Sequence, residues 1–284
     1  AYMATGAALA TGEPQAFCVV PGPGFLNTTA ALSTAYGMNA PVLALVGQIP
    51  TGAQGKGHGL LHEIPDQFGI LERLTKSSHR VTGGGDAVGH VVDAFTSLVS
   101  GRPQPVGLEI AVNLWTQDVT GTLPDLAPPG RPAPAVDTDA IDRAAKLITS
   151  ARAPMIVVGG GAQGDSGLVR QLAARTGAPV VAFRTGHGVM PSDDPLSIGM
   201  PVAHSLWTDV DLVIGLGTRL QSQVMSWGHD DDMKIIHIDI DETQIGRSAP
   251  VDVGIHARLA DALPLLISAV EDLAEPNPDW ADRT

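Results

Sequence analysis

The fold of this 284-residue chain is decided by the stretch "AFCVVPGPGFLN", Ala16 to Asn27. A short apolar run is followed by a corner of two prolines and two glycines, and an alanine-rich segment comes next. The apolar run predicts a buried β-strand, and the alanine-rich segment predicts a helix. Proline fixes the backbone of such a corner and glycine removes side chains from it, so some group must approach the main chain closely there. A glycine turn that binds a phosphate group is the first interpretation.

Short apolar runs alternate with helical stretches along the rest of the chain. The strands lack polar alternation, which is typical of parallel strands covered by helices on both faces. Strands are predicted at residues 16–20, 41–47, 106–112, 155–161, 180–183, 211–218 and 234–241, and helices at 1–11, 87–100, 138–150, 166–177 and 259–273, with one more after the corner. This pattern predicts an α/β protein of two doubly wound, mainly parallel sheet domains joined by a proline-rich linker.

The linker is predicted from five prolines within "TGTLPDLAPPGRPAPAVDT", because proline favours extended chain and donates no backbone hydrogen bond. The predicted organisation is a first domain at residues 1–119, a linker at 120–137, a second domain at 138–273 and the start of another linker at 274–284. The chain opens without Met and in the middle of a helical pattern, so we expect it to belong to a longer polypeptide.

Composition excludes several classes of partner. The formal net charge is −13, with 17 Lys and Arg against 30 Asp and Glu, which disfavours nucleic acid. The apolar runs are much shorter than the roughly 20 residues of a membrane-spanning helix, so no membrane partner is predicted. A single cysteine, Cys18, excludes an internal disulfide and suits a reducing compartment, and we therefore predict a cytoplasmic protein.

The segment "GGGAQG", Gly159 to Gly164, fits the G-x-G-x-x-G pattern between a strand and a helix. A dinucleotide site also needs an acidic residue about 20 positions later. That place carries Arg184 instead, which leaves another nucleotide or a simple tight turn as alternatives. After the strand at 234–241, Asp239 and Asp241 could accept hydrogen bonds from a ribose or cap the next helix. The acidic run at residues 230–232 is interpreted as a surface turn, and no residue of this chain is predicted to bind a metal.

Gln48 follows the strand at 41–47, where a neutral amide can orient a substrate carbonyl without titrating. The next loop is rich in glycine and carries His58 and His62, and histidine is the usual acid or base near neutral pH. Such a loop can act as a lid. Lys76 could pair with an anionic substrate or remain a solvated surface lysine.

Several motifs together resemble one enzyme family. "VVPGPGFLNTTAALSTAYGMNAPVLALVGQIPT", "TK" and "SGRPQPVGLEI" are similar to the pyrimidine-binding domain of thiamine-diphosphate enzymes of the acetolactate synthase and pyruvate oxidase type. "VVGGGA", "GHGVMPSDDPLSIGM", "DLVIGLGTRL" and "KIIHIDIDETQIG" resemble the central domain of the same family. The resemblance covers nearly the whole chain and keeps the order of the motifs.

The resemblance implies a reaction and a set of site residues. It implies decarboxylation or carboligation of a 2-oxoacid with thiamine diphosphate as electron sink. Gln48 would face the reacting centre, His62 would lie in the lid and Lys76 near the substrate channel. The pyrimidine end of thiamine diphosphate would contact Pro23, Gly24 and Asn27. The positions at which flavin-binding members contact FAD are Gly159, Gly160, Gly161, Gly199, Met200, Gly217, Arg219 and Asp239.

The resemblance also implies parts that lie outside these residues. The glutamate that activates the aminopyrimidine would precede Ala1, and the domain that holds the diphosphate and magnesium would follow Thr284. The segment alone would then be inactive, and the site would form with a second copy of the chain in a homodimer or tetramer. Arg219 is kept but a second family arginine is replaced by Gln223, which counts against tightly bound FAD. A nucleotide-binding module without thiamine chemistry is the alternative function.

Overall fold

The computed structural model describes residues 1–118 and 132–271 together with Trp280. The chain divides into two compact units, residues 1–132 and 133–284, and each is described by itself. Most of the two predicted linkers, at residues 120–137 and 274–284, lies outside the described residues. The domain boundaries therefore stay predictions.

The first unit is a parallel sheet of four strands in the order β1-β2-β4-β3. Its strands are β1 (Gln15–Val19), β2 (Val42–Gln48), β3 (Ser77–Val81) and β4 (Val106–Ala111). Its helices are α1 (Tyr2–Thr11), α2 (Pro23–Leu26), α3 (Thr29–Met38), α4 (Gln67–Leu74) and α5 (Ala87–Leu98). Because all four strands are parallel, their C-terminal ends meet at one edge of the sheet.

Two elements of this unit were not predicted from the sequence. β3 reads "SSHRV", and only Val81 of its five residues is buried. An edge strand of polar, half-buried residues lacks the apolar run by which β1, β2 and β4 are recognised. Helix α4 was missed because the glycine-rich sequence before it reads as a loop as far as Asp66. Asp66 is the N-cap of the helix, and its carboxylate accepts the N–H of Gly69 at 3.1 Å.

The second unit is a parallel sheet of six strands in the order β10-β9-β8-β5-β6-β7. Its strands are β5 (Pro154–Val158), β6 (Val180–Ala182), β7 (Ser197–Ile198), β8 (Leu212–Leu216), β9 (Lys234–Asp239) and β10 (Val253–His256). Its helices are α6 (Thr138–Ser150), α7 (Ser166–Thr176), α8 (Met200–Leu206) and α9 (Leu259–Glu271). The short strands β7 and β10 and helix α8 were not predicted.

The central strand β5 shows why this sheet is covered on both faces. All five of its residues are buried. Ile156 and Val158 pack into one apolar cluster with α6, α7 and α9, whereas Met155 and Val157 pack into a second cluster that contains Trp207. A continuous apolar run is the sequence pattern that such burial requires. The predicted α/β fold with two mainly parallel sheets is confirmed. Among the described residues, no helix has the length and apolarity needed to cross a membrane.

Candidate functional site

The corner between β1 and α2 owes both of its glycines to packing of the chain on itself. Gly22 has a φ of 58°, and a Cβ added to it would lie 2.5 Å from the carbonyl oxygen of His62. A Cβ added to Gly24 would lie 2.5 Å from Cγ2 of Val20. Helix α2 begins at Pro23, where a backbone N–H would have no helical partner. The close approach predicted at this corner is thus made by the loop that carries His62, and no phosphate is needed to explain it.

The outer surface of the corner is apolar and has one amide. Val20 is 55% exposed and Leu26 is 41% exposed, and Pro23 and Asn27 are also exposed. An apolar surface with one amide at its border fits the face and the polar edge of an aminopyrimidine ring. The residues present therefore fit the pyrimidine end of thiamine diphosphate.

A fully buried carboxylate, Glu109, lies in the middle of the sheet near this corner. Its Oε2 accepts hydrogen bonds from Nε2 of Gln48 at 3.0 Å and from Nε2 of Gln67 at 2.9 Å. Its Oε1 accepts from Nε of Arg80 at 2.7 Å, and the Arg80 side chain is 40% exposed. A charge in a sheet interior is tolerated only where it is paired and hydrogen-bonded, and Glu109 meets both conditions.

Gln67 connects this carboxylate to the corner. Its Oε1 accepts the backbone N–H of Gly22 at 2.8 Å. Its Nε2 donates to the carbonyl oxygen of Gly47 at 2.9 Å in addition to Glu109. The single side chain of Gln67 is therefore hydrogen-bonded to the turn after β1, the end of β2 and the centre of β4. We infer that this network fixes the relative positions of the strand ends at the C-terminal edge.

Gln48 ends β2 at that edge, as the sequence predicts. Its side chain is buried rather than open, because Nε2 donates to Glu109 and Oε1 accepts the backbone N–H of Ile49 at 2.7 Å. These two bonds fix which side of the amide carries the donor. The catalytic role of Gln48 stays a prediction.

Sequence reasoning missed Glu109, Gln67 and Arg80. Glu109 did leave a signal, since "VGLEIA" places one carboxylate inside a strand that is otherwise apolar. A charged residue in a buried strand requires a partner, and that partner could have been sought. Gln67 and Arg80 lie on elements that the sequence did not reveal, so no pattern singled them out.

The structure brings the loop of His62 to the corner through its backbone. His62 has a φ of 70° and is partly buried. The neighbouring Glu63 accepts the N–H of Leu60 at 2.8 Å, and this hydrogen bond lowers the pKa of the Glu63 carboxyl. The loop is therefore turned back on itself beside Gly22. A role for the His62 ring in proton transfer stays a prediction.

The structure does not bring Lys76 to Gln48, and a role for Lys76 at the substrate stays a prediction. Lys76 precedes β3 and lies at the N-terminal edge of the sheet, opposite the edge of Gln48. Its Nζ donates to the carbonyl oxygens of Ser97, Ser100 and Arg102 at 2.5 to 2.9 Å. A cation at these carbonyls stabilises the end of α5.

In the second unit, the predicted glycines pack against one another. The loops after β5 and β8 meet where Gly161 donates its N–H to the carbonyl oxygen of Gly217 at 3.1 Å. A Cβ on Gly159 would lie 2.4 Å from that same oxygen, and one on Gly217 would lie 2.7 Å from Cα of Gly161. A Cβ on Gly160 would lie 2.6 Å from the hydroxyl of Thr185. Loop packing thus accounts for all four glycines.

The G-x-G-x-x-G pattern does not lead directly into a helix. Residues Gly160–Asp165 form a 3₁₀ turn, and α7 begins only at Ser166. The glycines therefore do not place a bound phosphate at the first turn of an α-helix, as a dinucleotide site requires.

The other predicted nucleotide contacts follow different strands. Asp239 ends β9, is buried and accepts the N–H of Asp241 at 2.9 Å, whereas Asp241 caps the next turn. Gly199 and Met200 begin α8 after the edge strand β7, and Arg219 follows β8. His237 lies beside the corner at Gly217, the point where the loops after β5 and β8 meet, since its Nε2 lies 2.7 Å from the carbonyl oxygen of Thr218. Burial lowers the pKa of the His237 ring.

Comparison with known proteins identifies both units. Residues 1–70 match the model described as "Thiamine pyrophosphate enzyme, N-terminal TPP binding domain", and residues 141–266 match "Thiamine pyrophosphate enzyme, central domain". Together these matches cover well over half of the chain.

Curated relatives agree with these matches. The chain is 31% identical to "Acetolactate synthase isozyme 1 large subunit" of Escherichia coli, over 98% of this chain and 50% of that protein. It is 30% identical to "Probable acetolactate synthase large subunit" of Methanocaldococcus jannaschii, over 100% and 50% of the two chains. It is 27% identical to "Probable 2-ketoarginine decarboxylase" of Pseudomonas aeruginosa, over 99% and 51%. The chain thus spans about half the length of these relatives, and it belongs to the thiamine-diphosphate enzymes of the acetolactate synthase type.

Proposed function

We propose that the chain supplies the pyrimidine-binding and central domains of an enzyme that decarboxylates or ligates a 2-oxoacid with thiamine diphosphate. The observation that carries the proposal is the network of Glu109, Gln48 and Gln67 next to the β1–α2 corner. It places a neutral amide of fixed orientation at the C-terminal ends of parallel strands, where ligands of open α/β sheets bind. The names of the relatives, two synthases and a decarboxylase, support the same reaction class.

Each part of the corner has a role in this proposal. When bound, thiamine diphosphate supplies the electron sink for breaking the bond to the 2-oxoacid carboxylate. Val20, Pro23 and Leu26 offer the apolar surface for its pyrimidine ring, and Asn27 offers hydrogen bonds to the ring edge. Gln48 orients the substrate carbonyl with the second hydrogen of Nε2, which Glu109 does not accept, once substrate reaches the buried amide. Glu109 holds the Gln48 amide in one orientation. The loop of His62 covers the corner and excludes water.

The proposal extends to partners. We propose that residues 1–284 are inactive alone and that the site is completed by a second copy of the chain together with the part of the relatives that this chain does not span. That part would hold magnesium and the diphosphate. A cytoplasmic location also stays a prediction.

The test is a panel of 2-oxoacids assayed for carbon dioxide release with the full-length polypeptide that contains these residues. Thiamine diphosphate and magnesium are added, and omission of thiamine diphosphate is the control. We expect turnover of at least one 2-oxoacid that depends on thiamine diphosphate. Turnover of none, with or without a second carbonyl compound as acceptor, would refute the proposed reaction.

The role of Gln48 is tested by Gln48→Ala in the same polypeptide. We expect kcat to fall about 100-fold or more while the affinity for thiamine diphosphate changes little, because the amide acts on the reacting carbonyl. Gln104→Ala is the matched control, since Gln104 is also a buried glutamine but lies before β4 at the opposite edge of the sheet. Equal activity in the Gln48 variant would remove this residue from the mechanism.

FAD or an ADP-like ligand in the second unit is the alternative to a purely structural role for that unit. The glycines predicted to contact it are explained by loop packing, which weakens this alternative. Absorbance of the purified full-length protein in the flavin bands tests for FAD, and chromatography of the nucleotides released on denaturation tests for an ADP-like ligand. A preparation that is active without added FAD and releases neither ligand supports the structural role, and either ligand in stoichiometric amount contradicts it.

A further inference from the structure

Two histidines and an aspartate of the first unit converge away from the β1–α2 corner. His79 lies on the edge strand β3, and His90 and Asp93 lie on α5. The spacing of three residues places His90 and Asp93 on the same face of the helix. His79 has the same parity along β3 as Val81, which packs into the apolar cluster of α5. One ligand atom from each of the three side chains lies within 4.8 Å of the other two.

The two imidazole rings present nitrogen atoms that have no partner. Nε2 of His79 and Nδ1 of His90 are inaccessible to solvent and find no hydrogen-bond partner among the described residues. Buried polar atoms in folded proteins are nearly always paired, because leaving one unpaired costs about 1–3 kcal/mol. The ring centroids are 6.0 Å apart at an interplanar angle of 49°, so stacking of the rings does not explain the arrangement.

A second carboxylate lies near the other nitrogen of the His90 ring. Oδ2 of Asp86 lies 3.7 Å from Nε2 of His90. Asp86 is itself held by the backbone N–H groups of Thr82 and Gly83 at 3.1 to 3.2 Å. A carboxylate on the far side of a histidine is the usual arrangement behind a metal-bound imidazole, and a small approach of His90 to Asp86 would complete it.

We propose that His79, His90 and Asp93 bind a divalent transition-metal ion of the Zn²⁺ type, with a fourth position open to water. Two imidazoles and one carboxylate are a donor set for Zn²⁺, Ni²⁺ or Cu²⁺, whereas Mg²⁺ and Ca²⁺ prefer oxygen ligands. Asp93 is exposed, which gives the ion a path of entry.

The geometry requires only a local adjustment. Ligand atoms around tetrahedral Zn²⁺ lie about 3.4 Å apart when the metal–ligand distances are about 2.0–2.1 Å. Closing from within 4.8 Å to that spacing requires the ligand atoms to approach one another by at most about 1.4 Å. The proposal does not depend on the proposed thiamine chemistry.

The test is calorimetric titration of the metal-stripped protein with Zn²⁺. We expect one Zn²⁺ per chain, with the affinity about tenfold weaker in Asp93→Asn and weaker still in His90→Ala. Asp93→Asn changes an exposed side chain without changing its size, so it keeps the test valid if a histidine variant fails to fold. The controls are His187→Ala and His229→Ala, which remove exposed histidines outside the cluster and should leave the affinity unchanged.

Spectroscopy identifies the ligands independently of affinity. Co²⁺ in place of Zn²⁺ should give the intense visible absorption of a four-coordinate ion, and Asp93→Asn should change that spectrum. The ring ¹⁵N signals of His79 and His90 should shift on addition of Zn²⁺, and those of His187 should not. The proposal is overturned by absence of stoichiometric binding. It is equally overturned if Zn²⁺ binding is unchanged in both His90→Ala and Asp93→Asn. Loss of Zn²⁺ binding in His229→Ala would also overturn it, because the ion would then lie at the acidic run of residues 230–232, which His229 borders.

Discussion

Two glycine-rich corners of this chain look alike in sequence and differ in what supports them. In the first unit, the corner at Gly22 is held by the amide of Gln67, which rests on the buried carboxylate of Glu109. In the second unit, the corner at Gly217, where the loops after β5 and β8 meet, packs backbone against backbone, and the buried ring of His237 reaches it. Glycine therefore reports close approach of the backbone in both units. The polar side chains behind the glycines are what distinguish the first corner from the second.

The largest expected effect is from removal of the carboxylate that supports the first corner. Glu109→Ala leaves the amides of Gln48 and Gln67 and the Arg80 guanidinium without their acceptor, and we expect a loss of about 3–5 kcal/mol in the free energy of unfolding. Thermal unfolding measures the loss, and hydrogen exchange resolved by strand should assign it to β2 and β4. Glu72→Ala, an exposed control on α4, should change stability by less than about 0.5 kcal/mol. A loss below about 1 kcal/mol for Glu109→Ala would show that the network is not structurally important.

Alanine substitutions separate backbone strain from steric conflict at the two corners. Gly217→Ala combines a φ of 54° with a Cβ 2.7 Å from Cα of Gly161, and we expect it to lower the free energy of unfolding by about 3 kcal/mol. Gly12→Ala is the control for strain alone: its φ is 73° but a Cβ meets nothing within 4 Å, so we expect a loss of about 1 kcal/mol. The loss in Gly22→Ala should lie between these two values, because its Cβ conflicts with a loop that can move, the loop of His62.

Limited proteolysis distinguishes the two corners further. Gly22→Ala should increase cleavage in the loop at residues 51–63, whereas Gly217→Ala should not. Equal cleavage in the Gly22 variant and the parent would mean that the loop does not rest on this glycine.

Substitution of Lys76 tests whether this residue at the opposite edge of the first sheet has a structural role or acts on the substrate. Lys76→Met keeps the length of the side chain but removes the donors to three carbonyls, and we expect a loss of about 2 kcal/mol in stability. Turnover of the folded full-length variant should be nearly unchanged. A large fall in kcat without a loss of stability would restore Lys76 to the substrate site.

His237 should make the second corner sensitive to pH. Burial lowers the pKa of His237 below its usual 6.5, so the unfolded state binds the proton more readily than the folded state. The free energy of unfolding is therefore highest well above pH 6.5, where the histidine is neutral in both states, and falls as the pH drops below that value. The decrease due to this histidine is up to about 1.4 kcal/mol between pH 7.5 and pH 5.5. His237→Gln should therefore show a smaller difference in stability between these two pH values than the parent. An identical difference in both proteins would exclude His237 as the source.

The fold was largely predictable from the sequence because its central strands are short continuous apolar runs. β2 and β5 were found in this way, and the corner after β1 was found from its prolines and glycines. The strands β3, β7 and β10 were missed because edge strands are short and partly polar, and their pairing depends on neighbours that are distant in sequence.

The candidate site was predictable only in part. Gln48 follows an apolar strand and could be located by position. The partners of Glu109 could not, because a hydrogen bond between residues 42 or 61 positions apart depends on the order of the strands. The contacts of Lys76 could not be predicted for the same reason, since its neighbours are carbonyl groups at the end of α5, which no residue pattern specifies.

The strand order of the first unit has a consequence for how it folds. β4 is the last of the four strands in the chain and lies between β2 and β3. Until it is in place, β3 has no strand to pair with and β2 has one open edge. The Glu109 carboxylate arrives with this closing strand, so the amides of Gln48 and Gln67 acquire their acceptor in the same event that completes the sheet. During synthesis from the N-terminus, the hydrogen bonds of Gln48 and Gln67 to Glu109 can form only after β4 has left the ribosome.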